Sequence, residues 1–186
     1  MAPNLWSPED YHRAYWFAAR AHQGQPMPDD DLPYLVHVSL VTAELIAALR
    51  AETGHDETLA VQCALLHDVL EDTPVTYAAI ESAFGSPVAA GVMALSKDTR
   101  LPKAEQMPDS LRRIGQQPPE VWMVKLADRI CNLREPRPRW TTERIRQYRA
   151  EARDIYQALH TASPALAARL QEKIDLYPSL ARPKPQ

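Results

Sequence analysis

The chain has 186 residues, of which 45% are hydrophobic and 24% charged, and its net charge is −3. The length predicts a single domain, and the proportions are ordinary for a globular protein with a sizeable core. A net negative charge gives the protein no positively charged field that would attract nucleic acid. No stretch approaches the ~20 apolar residues of a membrane span. Because the first residues also lack a signal-peptide pattern, we expect a cytoplasmic protein that binds neither nucleic acid nor a membrane.

Helical patterns follow one another along nearly the whole chain, and many of its 17 prolines lie where helices should begin or end. Ser7, Thr76, Thr141 and Ser163 each stand at a predicted helix start. The sequence predicts an all-α fold, with a single compact bundle of about nine helices over residues 1–180 and a frayed tail at 181–186. The helices are expected at 8–22, 34–52, 57–70, 76–84, 86–97, 107–114, 118–130, 141–160 and 164–180.

The third predicted helix carries four polar residues on one arc: His67, Asp68, Glu71 and Asp72. Each helical residue turns by about 100°, which stacks residues four apart and keeps all four within roughly 140° of the circumference. Three acids and a histidine crowded beside an apolar stripe are costly unless a positive charge lies among them. A divalent metal meets that need, and it indicates hydrolysis.

Two residues far from this helix strengthen the metal interpretation. His37 begins the second predicted helix in PYLVHV, and Asp128 lies in the strongly apolar run VWMVKLADRICNL. Alone, a histidine at a helix start is usually a cap or a surface residue, and such an aspartate is usually a salt-bridge partner. Together with the His-Asp pair at 67–68 they would require four coincidences of residue type and order, so the sequence favours a shared metal site.

The order His…His-Asp…Asp within an all-helical chain resembles the HD phosphohydrolase superfamily. The chain is also similar, over roughly residues 5–160, to the hydrolase domain of the Rel/SpoT family and above all to the free-standing small alarmone hydrolases. The resemblance implies an HD-domain bundle and a manganese-dependent enzyme that removes the 3′-diphosphate from a purine nucleotide alarmone, of the (p)ppGpp or (p)ppApp type. The segments that carry it are HQGQ at 22–25, PYLVH at 33–37, LLHDVLEDTPVT at 65–76, FGSPVAAGVMALSK at 84–97 and VKLADRICNL at 124–133.

The resemblance also implies which residues hold the metal. Four positions match the metal ligands of the family: His37, His67, Asp68 and Asp128. Two imidazoles and two carboxylates suit a borderline-to-hard divalent ion such as Mn²⁺ and leave coordination positions open for water and phosphate. We therefore expect one manganese ion as the cofactor and a small phosphorylated nucleotide as the partner.

The remaining site residues follow from the same resemblance. Glu71 and Asp72 match the acidic pair that orients or deprotonates the attacking water. Asn132 matches an asparagine near the ribose and phosphates, Lys97 a lysine that meets a phosphate, and Tyr148 a tyrosine near the substrate. Ordinary alternatives stay open: Asn132 as a helix end, Lys97 as a solvated side chain and Tyr148 as a core residue.

One loop departs from the family pattern. Family members that bind guanosine tetraphosphate usually carry an Arg-Lys pair in the first loop, whereas residues 25–31 of this chain read QPMPDDD. Three acids would repel a phosphorylated ligand if the loop faces the cleft, and Pro26 or Met27 would stack only weakly on a base. The sequence therefore predicts the reaction type and leaves the base open between guanosine, adenosine and another nucleotide.

Two other functions are compatible with the same residues. One is a different HD nucleotide phosphohydrolase, such as a 5′-nucleotidase-like enzyme that releases orthophosphate, and the other is a non-catalytic nucleotide-binding module. The presence of all the ligands together with Glu71 and Asp72 favours an enzyme over a binding module. The last two predicted helices, rich in alanine and leucine, either close the core or form a homodimer contact.

Overall fold

The structure, a computed structural model, describes residues 5–28, 30–134 and 139–177, and these are mostly helical. Their one β-pairing is an isolated bridge between Pro26 and Pro33, so the predicted all-α fold is confirmed. None of the described helices is both long and apolar enough to cross a membrane. The tail expected at 181–186 lies outside the described residues. The helices are α1 (Pro8–Ala21), α2 (Leu35–Ala51), α3 (Glu57–Leu66), α4 (Val69–Asp72), α5 (Tyr77–Phe84), α6 (Ser86–Leu95), α7 (Lys103–Ile114), α8 (Pro119–Asn132), α9 (Thr142–Leu159) and α10 (Pro164–Leu176), with a 3₁₀ turn at His160–Ala162.

Side-chain caps and prolines account for where many helices begin. The Ser7 hydroxyl accepts a hydrogen bond from the N–H of Asp10 at 3.1 Å, and Thr76, Thr141 and Ser163 cap α5, α9 and α10 in the same way. Proline occupies the first turn of α1, α6, α8 and α10, where an N–H would have no partner within the helix. The helix starts predicted at these positions are confirmed.

Helix α8 is the centre of the bundle. It packs against α2, α3, α9 and α10, and nearly all of its residues from Glu120 to Ile130 are buried. Leu45 of α2, Leu65 of α3 and Leu126 of α8 are among the largest fully buried side chains. Because α2 and α3 both pack on α8 and on each other, polar residues on their inner faces must share one enclosed space.

The last two helices close the core. Both α9 and α10 pack against α8, and α10 also contacts α2. Ile155 of α9 and Leu166, Leu170 and Ile174 of α10 are at most 1% exposed. The first of the two roles predicted for these helices is thus confirmed, and the homodimer contact stays a prediction.

Three helix boundaries differ clearly from the predicted ones. Helix α10 ends at Leu176, short of the predicted end at residue 180. The segment expected as one helix over 57–70 is split, because α3 ends at Leu66 and α4 begins at Val69. Helix α7 begins at Lys103, whereas the sequence predicts a loop as far as Glu105. Pro108 lies inside α7, where its ring has no N–H to donate to the carbonyl of Ala104 and crowds that carbonyl, yet the helix continues to Ile114.

Candidate metal and catalytic site

Three separate segments bring the four predicted metal ligands together. His37 lies in the first turn of α2, and Asp128 lies near the end of α8. His67 and Asp68 form the turn between α3 and α4. The Nε2 atom of His37 lies 3.4 Å from Oδ1 of Asp128 and 3.7 Å from Oδ2 of Asp68. The four side chains therefore surround one small space.

The spacing of three of these side chains fits a single ion. One ligand atom from each of His37, His67 and Asp128 lies within 4.8 Å of the other two, and all three residues are buried. Asp68 is not part of this set, but its Oδ2 lies 2.9 Å from Nε2 of His67. Asp68 therefore borders the same space from the side of the α3–α4 turn.

The hydrogen bonding of His67 leaves one ring nitrogen free for a cation. Its Nδ1 lies 2.8 Å from the carbonyl oxygen of Ala64, so this nitrogen carries the proton and Nε2 carries the lone pair in the neutral ring. The Nε2 atom is buried and has no hydrogen-bond partner among the described residues, although carboxylate oxygens of Asp68 and Asp128 lie 2.9 and 4.0 Å away. Either a proton or a metal cation between Nε2 and these carboxylates would satisfy all three groups.

The charges around His67 favour a positive ion at this place. Burial disfavours the charged imidazole, but the neighbouring carboxylates of Asp68 and Asp128 outweigh it and raise the pKa of His67 to about 9. The same carboxylate field that attracts a proton to Nε2 would attract a metal cation more strongly. The residues present therefore fit the metal that the sequence predicts.

Asp128 is held as a carboxylate by donors on its own helix. The ammonium of Lys125 donates to Oδ2 at 3.0 Å, and the side-chain amide of Asn132 donates to Oδ1. Burial favours the neutral acid, but Lys125 and the two histidines hold the pKa of Asp128 well below its usual range. Asn132 thus touches a predicted ligand, and its predicted contact with substrate stays a prediction.

The break between α3 and α4 corrects the expectation that four residues share one helical arc. Asp68 has φ −102° and ψ −1°, which interrupts the helix at His67 and Asp68. The Oδ2 atom of Asp68 accepts a hydrogen bond from the hydroxyl of Tyr34. The sequence motifs do not assign a role to Tyr34, although it lies three residues before His37 and therefore on the same side of the chain.

Glu71 and Lys97 form a two-point contact across the site. The ammonium of Lys97 donates to Oε1 of Glu71 at 3.0 Å, and its backbone N–H donates to Oε2 at 2.8 Å. Lys97 lies just beyond the end of α6, so this pair ties the acidic turn to another helix. The structure therefore brings both predicted residues together, with the lysine paired to an acid and one third of its side chain exposed.

Asp72 accepts a hydrogen bond from a different donor than Glu71 does. Its Oδ2 accepts a hydrogen bond from the side-chain amide of Gln25 at 3.2 Å. Partial burial and the negative charge of Asp68 raise the pKa of Asp72, and the Gln25 hydrogen bond opposes that rise. Gln25 is a further residue whose role the sequence motifs do not predict, although it ends the HQGQ segment.

Tyr148 lies in a separate cluster of aromatic and cationic side chains. Its ring is 4.9 Å from that of Trp140, and the guanidinium of Arg129 lies 4.4 Å above it. Arg129 is 4% exposed and pairs with Glu151 at 3.6 Å. The structure thus packs Tyr148 on an arginine adjacent in sequence to Asp128, and its predicted contact with substrate stays a prediction.

The acidic loop between α1 and α2 is compact. The N–H of Met27 donates to the carbonyl of Leu32 at 2.7 Å, which closes the loop next to the Pro26–Pro33 bridge. Met27 is only 3% exposed, whereas Asp30 and Asp31 are exposed. Stacking of Met27 on a base, one of the sequence-based expectations, is therefore blocked by its burial.

Comparison with known proteins relates this geometry to established hydrolases. The HD domain profile matches residues 14–165 of the chain. The guanosine-3′,5′-bis(diphosphate) 3′-pyrophosphohydrolase MESH1 of Danio rerio is 32% identical over 161 residues, which cover 84% of this chain and 87% of that protein. The bifunctional (p)ppGpp synthase/hydrolase SpoT of Escherichia coli K12 is 39% identical over 138 residues, which cover 68% of this chain and 18% of SpoT.

A solved structure has the same fold. It is described as a metazoan ortholog of SpoT that hydrolyzes ppGpp and plays a role in starvation responses. It aligns with a TM-score of 0.79 at 26% identity, over 95% of this chain and 99% of that one. The similarity therefore covers the complete set of elements that surround the candidate site.

Proposed function

This chain belongs to the HD-domain family, and we propose that it is a hydrolase that removes the 3′-diphosphate from guanosine 3′,5′-bis(diphosphate). One observation carries the proposal: the buried lone pair of His67 Nε2 faces the carboxylates of Asp68 and Asp128. That arrangement calls for a cation, and Glu71 and Asp72 stand one turn farther along the chain. The substrate is taken from the activity named for MESH1, which is aligned over 87% of its length.

We assign the metal to four ligands, His37, His67, Asp68 and Asp128, and we propose that the ion is Mn²⁺. The donor set supports this choice, because carboxylate oxygens suit manganese and imidazole nitrogens suit divalent transition metals in general. When bound, such an ion lowers the pKa of a water molecule and neutralises charge on phosphoryl oxygens. The ammonium of Lys125 keeps Asp128 ionised, so its carboxylate can serve as a donor at neutral pH.

Glu71 and Asp72 take different parts in handling the attacking water. Both oxygens of Glu71 are occupied by Lys97, whose ammonium and N–H donate at 3.0 and 2.8 Å, so Glu71 serves to orient. Asp72 instead faces the neutral amide of Gln25 at 3.2 Å. Partial burial and the negative charge of Asp68 raise the pKa of Asp72, so we assign Asp72 as the group that accepts the proton of the water.

The reaction breaks the bond between the 3′ oxygen of the nucleotide and the adjacent phosphorus. The oxygen of the attacking water forms a new bond to that phosphorus, and a proton of the water passes to Asp72. The 3′ oxygen takes up a proton from the solvent as diphosphate leaves, and Asp72 releases its proton to the solvent, so guanosine tetraphosphate and water yield GDP and diphosphate. Lys97, Asn132 and Tyr148 are the residues to which we assign contacts with the substrate.

We further propose that the acidic loop relaxes the preference for the base. Gln25 and Tyr34 flank this loop, and each donates a hydrogen bond to an acid of the site, so the loop between them borders the site. Asp30 and Asp31 are exposed there, and neither can stack a cation on guanine as an arginine would. The adenosine analogue should therefore be hydrolysed alongside the guanosine compound.

Product analysis with labelled water tests the reaction. The Mn²⁺-loaded protein is incubated in ¹⁸O water with guanosine tetraphosphate, its adenosine analogue and a set of nucleoside 5′-monophosphates. We expect diphosphate that carries the label, GDP without it, and a comparable rate with the adenosine compound. Orthophosphate release would identify the 5′-nucleotidase-like alternative, and binding without turnover would identify a nucleotide-binding module. Turnover of the guanosine compound alone would contradict the relaxed base preference.

A further inference from the structure

Gln25 joins three elements around the candidate site. Its side-chain Nε2 donates to Oδ2 of Asp72 at 3.2 Å, and its Oε1 lies 2.8 Å from Nδ1 of His22. Its backbone carbonyl accepts the N–H of Tyr34 at 2.9 Å, and the hydroxyl of Tyr34 donates to Asp68. One residue of the loop after α1 thus connects a proposed water-handling acid with the segment that supports a proposed metal ligand.

The direction of these hydrogen bonds follows from the acceptor at one end. The carboxylate of Asp72 can only accept, so the amide nitrogen of Gln25 must face it and the amide oxygen must face His22. Nδ1 of His22 therefore carries the proton. His22 is 4% exposed, its Nε2 has no hydrogen-bond partner among the described residues, and its ring packs 4.9 Å from that of Tyr34. The buried imidazole is thus fixed in the one tautomer that orients the Gln25 amide.

Asp72 needs such a donor because its surroundings favour displacement. It ends the four-residue helix α4, it is only partly buried, and the backbone becomes extended at Thr73. Asp68 and Glu71 lie close in the chain, and like charges push the Asp72 carboxylate towards solvent. The Gln25 amide is the hydrogen-bond donor to this carboxylate among the described residues. Without it, the carboxylate would gain rotational freedom and leave the site.

We propose that Gln25 and His22 are positioning residues: His22 orients the Gln25 amide, and Gln25 holds the Asp72 carboxylate towards the attacking water. The inference rests on the proposed hydrolysis, in which Asp72 accepts the proton. A carboxylate misplaced by about 1 Å can cost on the order of 10²-fold in rate. The pair therefore acts on the chemical step and not on binding of the nucleotide or the metal.

A double-mutant cycle separates positioning from a general structural effect. Gln25→Leu removes the donor at nearly constant size and should lower kcat by about 10- to 100-fold, with KM and Mn²⁺ affinity unchanged. In the background of Asp72→Asn, the same substitution should cost less than about twofold, because the group that it positions is already lost. The matched control is Gln23→Leu, since Gln23 is exposed and its side chain makes no hydrogen bond among the described residues; it should leave kcat unchanged.

A second measurement on the folded protein does not depend on turnover. The side-chain amide of Gln25 is observed by ¹H–¹⁵N NMR in the wild type, in Asp72→Asn and in His22→Phe. The last variant retains an aromatic ring at position 22 but removes the Nδ1–H donor. We expect this resonance to shift in both variants, and that of Gln23 to stay in place.

Two results would overturn the positioning role. The first is a loss of kcat on Gln25→Leu that is equally large in the Asp72→Asn background. The second is a Gln25 amide resonance that shifts in neither Asp72→Asn nor His22→Phe. A wild type that hydrolyses none of the nucleotides but shows both NMR shifts would refute the proposed function and leave the hydrogen-bonded chain intact.

Discussion

Two clusters of histidine and carboxylate side chains each include one residue of α8. The clusters differ in which groups hydrogen-bond to their carboxylates. Glu120 begins one cluster and Asp128 belongs to the other, which separates them by about 12 Å of helix rise. Both clusters are built from the same residue types and both are largely buried. We name them the clamp (Glu52, His55 and Glu120) and the site cluster (His37, His67, Asp68 and Asp128).

The carboxylates of the clamp accept hydrogen bonds from backbone N–H groups. Glu120 accepts the N–H of Asp56 at the start of α3 at 2.9 Å, and Glu52 accepts the N–H of Ala165 in the first turn of α10 at 2.7 Å. Such N–H groups have no partner within their own helices. His55 lies between the two glutamates at 3.6 and 3.7 Å. The clamp therefore joins helix ends.

The site cluster has side-chain partners instead. Tyr34 donates to Asp68, while Lys125 and Asn132 donate to Asp128. The Nε2 lone pair of His67 is left over, buried and facing both acids. The comparison teaches that residue type does not separate a structural cluster from a metal site. Each cluster contains a buried polar atom without a hydrogen-bond partner among the described residues, Oε2 of Glu52 in the clamp and Nε2 of His67 in the site cluster. What separates them is that backbone N–H groups bind an oxygen of Glu120 and of Glu52, whereas the site cluster brings ligand atoms of His37, His67 and Asp128 within 4.8 Å of one another.

The largest expected effect is the loss of a site-cluster carboxylate. Asp128→Asn should lower Mn²⁺ affinity by more than about 100-fold, because even outer partners of metal ligands are worth 10- to 100-fold. Mn²⁺ at a hundred times its Kd should stabilise the wild type by about 2.7 kcal/mol and the variant hardly at all. Calorimetric titration and thermal melts measure both quantities. An Asp128→Asn protein that binds Mn²⁺ as tightly as the wild type would contradict the assignment.

The next largest effect should distinguish the two acids beside the cluster. Asp72→Asn removes the proposed proton acceptor and should lower kcat by about 10²- to 10⁴-fold. Glu71→Gln should cost less, about tenfold, because the amide can still accept a hydrogen bond from Lys97. Steady-state kinetics with saturating Mn²⁺ gives the order of the two losses. The reverse order would assign proton transfer to Glu71.

A change in the clamp should act on stability and leave catalysis intact. Glu120→Ala removes the acceptor for the Asp56 N–H and should lower the free energy of unfolding by about 1–3 kcal/mol. Its kcat with saturating Mn²⁺ should equal that of the wild type. Glu120→Gln, which keeps an acceptor oxygen, is the matched control and should lose less. Urea unfolding compares the three proteins, and a large fall in kcat with Glu120→Ala would erase the distinction between the clusters.

The smallest effect is expected for the histidine of the clamp. Its ring nitrogens lie 3.6 and 3.7 Å from the glutamate oxygens, which is longer than a good hydrogen bond. His55→Gln should therefore cost about 1 kcal/mol or less. The same urea titration measures it, and a loss as large as that of Glu120→Ala would show that the histidine itself carries the clamp.

The convergence of the four proposed ligands could be predicted, because it rests on residue types in a fixed order. The break at His67 and Asp68 could not, since an ideal helix with 100° per residue contains no information about Tyr34, a partner far away in sequence. The link between Glu71 and Lys97 depends in the same way on how α6 packs. Local patterns predict which residues share a face, and tertiary hydrogen bonds decide where each side chain points.

Two other differences have local causes. Met27 is buried because the loop folds back through the Pro26–Pro33 bridge. The presence of two prolines near an acidic run does not predict such a bridge. The start of α7 at Lys103 follows from good helix formers before Pro108, a residue that usually argues against a helix. In both cases, the structure around a proline differs from the structure that a proline usually indicates in a sequence.

The central claim is that the site cluster holds a metal ion that supports removal of a 3′-diphosphate. The most direct test compares metal-stripped protein, the same protein reloaded with Mn²⁺, and Asp128→Asn, each with guanosine tetraphosphate and product separation by anion-exchange chromatography. We predict GDP and diphosphate in equal amounts from the reloaded wild type alone. Equal turnover by the metal-stripped protein, or orthophosphate as the product, would contradict the account.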